Sequence, residues 1–270
     1  MSWSNPTETL TNPAKMFISW NGASDGGYFY YDVKTGEKKE GKDVYEKRKL
    51  ELPITFLALD MLHTIKGFSD ADQKQFWSNE VKDLRTEKLN VRLGKNTTEL
   101  GLYSEIKDKL AKKGADYTQS VYVGIKNEEG KLVIANVNMK GAALSAWIEF
   151  RQAVKEEIHK NAITIKTTKE GKKGAVKYLM PVFQLVKISE ETGKEAFALD
   201  SELQAYLKKY LDKNKSEESE AELAQRIEKA NESVYATKDE PTMSNHEAIM
   251  GEGQQKENAF IDEEDLDLPF

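Results

Sequence analysis

From Lys15 onward the apolar and polar positions of this chain alternate in short runs, broken by Gly, Asn and Asp. A period of two marks half-buried strands, because successive side chains of an extended backbone point to opposite faces. Residues 16–20 and 28–31 flank Asn21-Gly22 and Gly26-Gly27, which predicts a hairpin with a glycine-rich turn. Residues 88–93 put Leu89, Val91 and Leu93 on one face and Lys88, Asn90 and Arg92 on the other. Residues 117–126 and 132–138 surround Asn127-Glu128-Glu129-Gly130 and read as a second hairpin. A third joins residues 163–166 to 176–188 through Glu170-Gly171-Lys172-Lys173-Gly174. The charged stretch 34–49 reads as a loop, and 50–65 as a strand with a bend at Pro53.

Helical spacing occurs in three places. Ile106 and Leu110 sit four apart in residues 103–113, before the stop at Gly114. Leu144, Trp147, Ile148, Arg151 and Val154 form a stripe along residues 141–157, with Ile158 near its end. Asp200 stands where a cap would open a last helix over Leu203, Leu207 and Leu211. Several hairpin strands with interposed helices predict a mainly β fold with a curved antiparallel sheet or barrel over residues 1–213. The strand spacing fits an OB-fold-like antiparallel barrel with insertions, and equally another α+β sheet. Residues 214–258, rich in Glu, Ser, Gln, Ala and Asn, bury too little apolar surface to offset their ordering entropy and read as a disordered linker. Residues 259–270 form an acidic tip.

Charge changes the picture. The net charge of -6 averages two regions of opposite sign, since residues 1–215 hold 36 Lys+Arg against 30 Asp+Glu, and residues 216–270 hold 4 against 16. A basic body with an acidic tail suits a polyanion binder, because Lys and Arg that neutralise phosphates supply most sequence-independent affinity. The absence of cysteine removes disulfides and thiolate chemistry and fits a reducing cytoplasm. No run approaches the roughly 20 apolar residues of a membrane span, and the first fifteen positions lack a secretory h-region.

Unpaired strands are gripped by cations along the phosphates and by flat rings on which bases stack. Candidate rings are Trp20, Tyr28 and Tyr30 in the first hairpin, and Tyr122, which alternation groups with Thr118, Ser120 and Lys126 opposite Val121, Val123 and Ile125. Candidate phosphate contacts are Lys88, Arg92 and Lys126, and above all the hairpin-tip cluster Lys166, Lys169, Lys172, Lys173 and Lys177, which only Glu170 dilutes. The ordinary alternatives are core aromatics and a solvated strand face.

The chain ends in Asp262, Glu263, Glu264, Asp265, Asp267, Leu268, Pro269 and Phe270. Apolar residues at an extreme terminus are useless for packing, so an apolar ring beside a free carboxylate reads as a portable ligand for a partner pocket, with the acids steering encounter. In this tip, and in the order of body, linker and tail, the chain resembles the single-stranded-DNA-binding proteins of bacteria and their phages, and looks most like a divergent phage-encoded member. The resemblance implies an OB-fold body that coats single-stranded DNA during replication, recombination and repair in the bacterial cytoplasm. It also implies recruitment of polymerase, primase, helicase or nuclease through the tip, and leaves open a homo-oligomer.

Catalysis finds little support, and a nuclease with dispersed carboxylates stays open because such sites are invisible without a fold. His63, His159 and His246 are isolated, no phosphate-binding loop is present, and Asp70-x-Asp72 lacks the later glycine and glutamate of a calcium loop, which are Gln75 and Val81 here. No catalytic residue, cofactor or metal is therefore expected. The competing reading is an acidic-tailed assembly or chaperone-type protein without nucleic-acid affinity.

Overall fold

A computed structural model describes residues 10–39 and 41–235, with side chains through residue 215 apart from Lys42. Among the described residues, eleven strands and three α-helices follow one another. The strands are β1 (Met16–Asn21), β2 (Tyr28–Lys39), β3 (Lys42–Leu50), β4 (Ile54–Ser69), β5 (Lys74–Ser78), β6 (Leu89–Leu93), β7 (Asn96–Gly101), β8 (Ala115–Lys126), β9 (Leu132–Met139), β10 (Asn161–Lys173) and β11 (Val176–Lys187). The helices are α1 (Tyr103–Lys112), α2 (Gly141–Val154) and α3 (Glu190–Tyr235). The described residues through Glu218 form one compact unit, and those from Ser219 to Tyr235, the last turns of α3, belong to a second.

The strands join in the order β3-β2-β1-β9-β8-β4-β5-β6-β7, and β10 pairs with both β4 and β11. β4 is the branch point. One edge pairs with β8 along most of its length, while the other takes β10 at Ile54–Phe56 and β5 at Lys66–Ser69. The path β1-β9-β8-β4-β10-β11 curls back on itself. The Leu179 N–H of β11 donates to Gly22 O at 2.9 Å, and Trp20 Nε1 donates to Leu179 O at 2.9 Å. Among the described residues no strand ladder joins β11 to β1, so a closed barrel is not shown. The sheet is mixed, because β1 runs parallel to β9. That corrects the expectation of a purely antiparallel sheet; alternation is identical in the two ladder types and carries no direction.

The curl encloses one apolar core, built from Ile18, Phe29, Phe56, Val121, Val123, Val137, Ile163, Ile165 and Phe183 among others. α2 plugs it. Ala143 and Trp147 are fully buried on that helix, and Trp147 lies against the rings of Phe56, Phe150 and Phe183 at 6.4, 6.0 and 5.3 Å. A second core gathers Ile65, Phe76, Val91, Ile106 and Leu110 where β5–β7 and α1 extend the sheet. The third lies on the opposite face, where Leu203 and Leu207 of α3 cover Leu62, Tyr122 and Ile134.

Three local readings differ from the pattern. The stretch 34–49 is a hairpin arm, not a loop, with Tyr30 opposite Lys49 and Tyr31 opposite Arg48. Rings facing cations across the pair supply the packing that a charged sequence lacks on its own. α3 begins at Glu190, capped by Ser189, whose Oγ accepts the Thr192 N–H at 3.2 Å; Asp200 lies inside the helix and binds Gln204. The backbone stays helical through Tyr235, so residues 214–235 of the expected disordered linker are helix. The rest of that linker and the tip at 259–270 lie outside the described residues.

One half-buried group ties stability to pH. Burial pushes the His63 imidazole below its ordinary value of 6.5, helped by the positive Arg151 nearby, and its Nδ1 lies 2.6 Å from the Tyr117 hydroxyl. The native state thus binds this proton less readily than the unfolded chain. Stability from His63 is fully present above about pH 6.5 and is lost as pH falls toward the lower folded value, at up to about 1.4 kcal/mol per pH unit. Urea denaturation from pH 7.5 to 5 should show this slope, and His63→Gln should flatten it; an unchanged slope in the variant would assign the loss to other groups.

Candidate nucleic-acid interface

The outer face of the sheet follows from the inner one. Trp20 and Phe29 are buried in the core with ring centroids 4.7 Å apart, so alternation turns Tyr28 and Tyr30 outward. Their rings meet edge to face at 6.4 Å. Asn21 Nδ2 donates to the Tyr28 hydroxyl at 3.0 Å and holds that ring. Lys49 Nζ sits 4.0 Å from the Tyr28 centroid and Lys47 Nζ 5.0 Å from that of Tyr30. Phe17, on the same side of β1, is 51% exposed. Exposed lysine stems over half-exposed rings can swing aside, which leaves a π-face for a base and an ammonium for its phosphate.

Directly paired residues share a face, so the register relates these rings to the same side of the other strands, whose middle is buried, Ser120 at 0% and Asn138 at 8% exposure. Lys49 pairs with Tyr30, Tyr30 with Ser19, Ser19 with Asn138 and Asn138 with Ser120. Four residues along β8 and β4 from there, Asp116 pairs with Lys66, Lys66 with Trp77 and Trp77 with Arg92. Lys66 Nζ donates to Asn138 Oδ1 and joins the two stretches; burial lowers its affinity for a proton, and Glu80 counters this. Trp77 is 42% exposed, with the Arg92 guanidinium 5.1 Å from its ring centroid. Two accessible stretches, Tyr28 and Tyr30 with Lys47 and Lys49, and Trp77 with Arg92, thus flank a buried polar seam on one side of the sheet.

The sequence candidates divide accordingly. Tyr28, Tyr30, Lys88 and Arg92 lie on this outer side. Lys166, Lys169, Lys172, Lys173 and Lys177 are all exposed on the β10–β11 hairpin, where Lys172 stands directly opposite Lys177. Like charges across a ladder destabilise it, and a bound anion relieves them. Trp20 is 8% exposed, its ring in the core and its N–H spent on Leu179, so it offers no stacking face. Lys126 is exposed at the far end of β8, about 20 Å along the strand from Ser120, away from the rings.

Tyr122 is corrected as well. Its side of β8 is polar, as alternation indicates, but α3 and the N-terminal segment lie over it and the ring is fully buried. The hydroxyl donates to Glu80 Oε2 at 2.8 Å, and Glu80 also receives the Ser120 hydroxyl. Burial and the neighbouring carboxylate raise the Tyr122 hydroxyl far above its ordinary value of 10.0. Tyr122→Phe removes a donor from a half-buried carboxylate and should cost about 1–3 kcal/mol in urea denaturation with strand affinity unchanged. A loss of affinity without a loss of stability would return Tyr122 to the interface.

Sequence reasoning misses Phe17, Lys66 and Trp77, and discounts Lys47 and Lys49 as part of a lysine-rich loop diluted by acids. The run Lys74–Ser78 alternates with Phe76 inward and Trp77 outward, a signal that was readable but short. Lys66 is invisible without the register, since only pairing brings it beside Trp77 and Asn138.

No protein-family model matches the chain, and neither a curated protein nor a solved structure is similar to it. Among the described residues no helix is long and apolar enough to cross a membrane, and no group of three His, Cys, Asp or Glu is placed to hold a metal ion.

Proposed function

We propose that this chain binds and protects single-stranded DNA, largely independently of sequence, as a phage member of the single-stranded-DNA-binding proteins. The observation that carries the reading is the outer sheet face, where Tyr28, Tyr30 and Trp77 share a side with Lys47, Lys49, Lys66 and Arg92. A solvated face has no use for three rings, whereas stacked bases and their phosphates need that mixture. The curled sheet plugged by α2 is consistent with an OB-type body carrying β5–β7 as an insertion. Lysines on the β10–β11 hairpin extend the cationic path. The tip, Asp262 to Phe270, recruits polymerase, primase, helicase or nuclease during replication, recombination and repair.

Fluorescence anisotropy of the full chain with labelled oligo(dT), at several salt concentrations, tests this. Neutralising about five phosphates gives a slope of log K against log salt of about -3.5, with duplex DNA bound far more weakly. Absence of strand binding at low salt would overturn the reading in favour of a protein-only interaction role. Removing residues 262–270 should keep or raise strand affinity and abolish capture of replication proteins; a fall in affinity would contradict that division.

A further inference from the structure

The sheet face opposite the rings carries a polar corner at one end of the apolar core. Gln119 lies on the inner side of β8, in line with the core residue Val121 and paired with His63 of β4 and Met139 of β9. It is fully buried, and among the described residues neither its Oε1 nor its Nε2 has a hydrogen-bond partner. The amide stands beside the Tyr117 hydroxyl without reaching hydrogen-bond geometry, and that hydroxyl lies 2.6 Å from His63 Nδ1.

Arg151 of α2 completes the group. Its positive charge bears on both His63 and Tyr117, and burial disfavours that charge. Among the described residues no carboxylate forms an ion pair with it. The acids whose charge reaches His63 are held by other groups. Asp83 binds Arg85 at 3.2 Å, and Glu87 accepts the N–H groups of Lys82 and Asp83 at 2.6 and 3.2 Å. A half-buried guanidinium without a counter-ion and a buried amide without a partner are each costly, and one anion satisfies both.

The His63–Tyr117 pair adds a donor. Burial favours the neutral form of each, holding His63 below its ordinary 6.5 and pushing Tyr117 up to about 12. A neutral imidazole and a phenol hold two protons, one of which lies in the bond between them, so one is left to donate. His63, Tyr117 and Arg151 are all partly exposed, so an ion can reach the corner from solvent. The donors lie on a sheet floor and on a helix packed over it, which suits a tetrahedral phosphate better than a planar carboxylate.

We propose that this corner binds a small phosphate-type oxyanion, held by the Arg151 guanidinium and the Gln119 amide, with the His63–Tyr117 pair as a third contact. The site is separate from the strand face, because Gln119 and Ser120 point to opposite sides of β8, and it stands whether or not that face binds DNA.

The test is thermal melting of the full chain near neutral pH, in about 10 mM phosphate against chloride of equal ionic strength. A dissociation constant of about 1 mM should raise the midpoint by about 3 °C. Arg151→Met should cut the rise below about 1 °C, and so should Gln119→Leu, which replaces the amide by an apolar group of similar size. Replacing Lys172 and Lys173 by alanine should leave the rise intact, and Arg151→Met should keep oligo(dT) affinity within about twofold. No rise in the wild type, or the same rise in Arg151→Met and Gln119→Leu, which marks an adventitious ion only, overturns the site. Acetate that stabilises as much as phosphate overturns the phosphate class, and a larger loss of oligo(dT) affinity in Arg151→Met would make the anion part of the strand. Failure of the strand-binding reading shows separately, as a wild type that binds no oligo(dT).

Discussion

Replacing Tyr28 and Tyr30 together by alanine should weaken binding of oligo(dT) at least about 30-fold. Each ring that loses a stacked base forfeits about 1–3 kcal/mol, and two such losses sum to about 2–6 kcal/mol when the bases stack independently. Both rings are half-buried on the outer face, outside the apolar core beneath them, so the folded state should survive the change. The double variant should therefore melt within a few degrees of the wild type while its anisotropy titration shifts by more than a decade in concentration. Lys47 and Lys49 lie over these rings, and their replacement by alanine should lower affinity less and flatten the salt slope. An unshifted titration in the tyrosine double variant would leave the rings as surface packing.

The largest effect on stability is expected at Trp147. Its ring is fully buried among Phe56, Phe150 and Phe183, where α2 closes the curled sheet. Trp147→Ala deletes an entire aromatic side chain from that core and should cost about 3–5 kcal/mol, a large part of the 5–15 kcal/mol that holds a typical domain together. Urea denaturation would show the midpoint falling by a corresponding amount. Trp77→Ala, by contrast, removes a half-exposed ring and should shift the same midpoint by less than about 1 kcal/mol. A cost below about 1 kcal/mol at Trp147 would mean that α2 does not plug the sheet.

That contrast between tryptophans marks what alternation could and could not reveal. The strands around Ile18, Val91, Val121 and Val137 were legible because a half-buried strand repeats every two residues. The helix over Trp147 was legible for the corresponding reason at helical spacing, although its buried face runs through Ala143 and Trp147 where the pattern pointed to Leu144 and Trp147. Which polar face stays open was not legible. Tyr122 and Tyr30 both lie on polar sides of their strands, and only the path of α3, set by Leu203 and Leu207, buries the one and spares the other.

Charge misled in the opposite sense at residues 34–49, where lysines suggested a loop. The strand forms there because Lys47 and Lys49 find rings across the pair, a long-range benefit that local propensity does not contain. Trp77 and Lys66 are neighbours through the Lys66–Trp77 pairing of β4 with β5, and pairing partners cannot be read from a single strand.

The central claim is that unpaired DNA crosses the outer face of the sheet from the β2–β3 arm to Trp77. The most direct test is photocrosslinking of an iodouracil-substituted strand to the full chain, followed by mass-spectrometric mapping of the modified residues. Adducts should fall on Tyr28, Tyr30 and Trp77, with Phe17 between them. Efficient crosslinking that maps instead to Tyr103 beside α1, or to Phe197 on α3, would place the strand elsewhere and contradict the account.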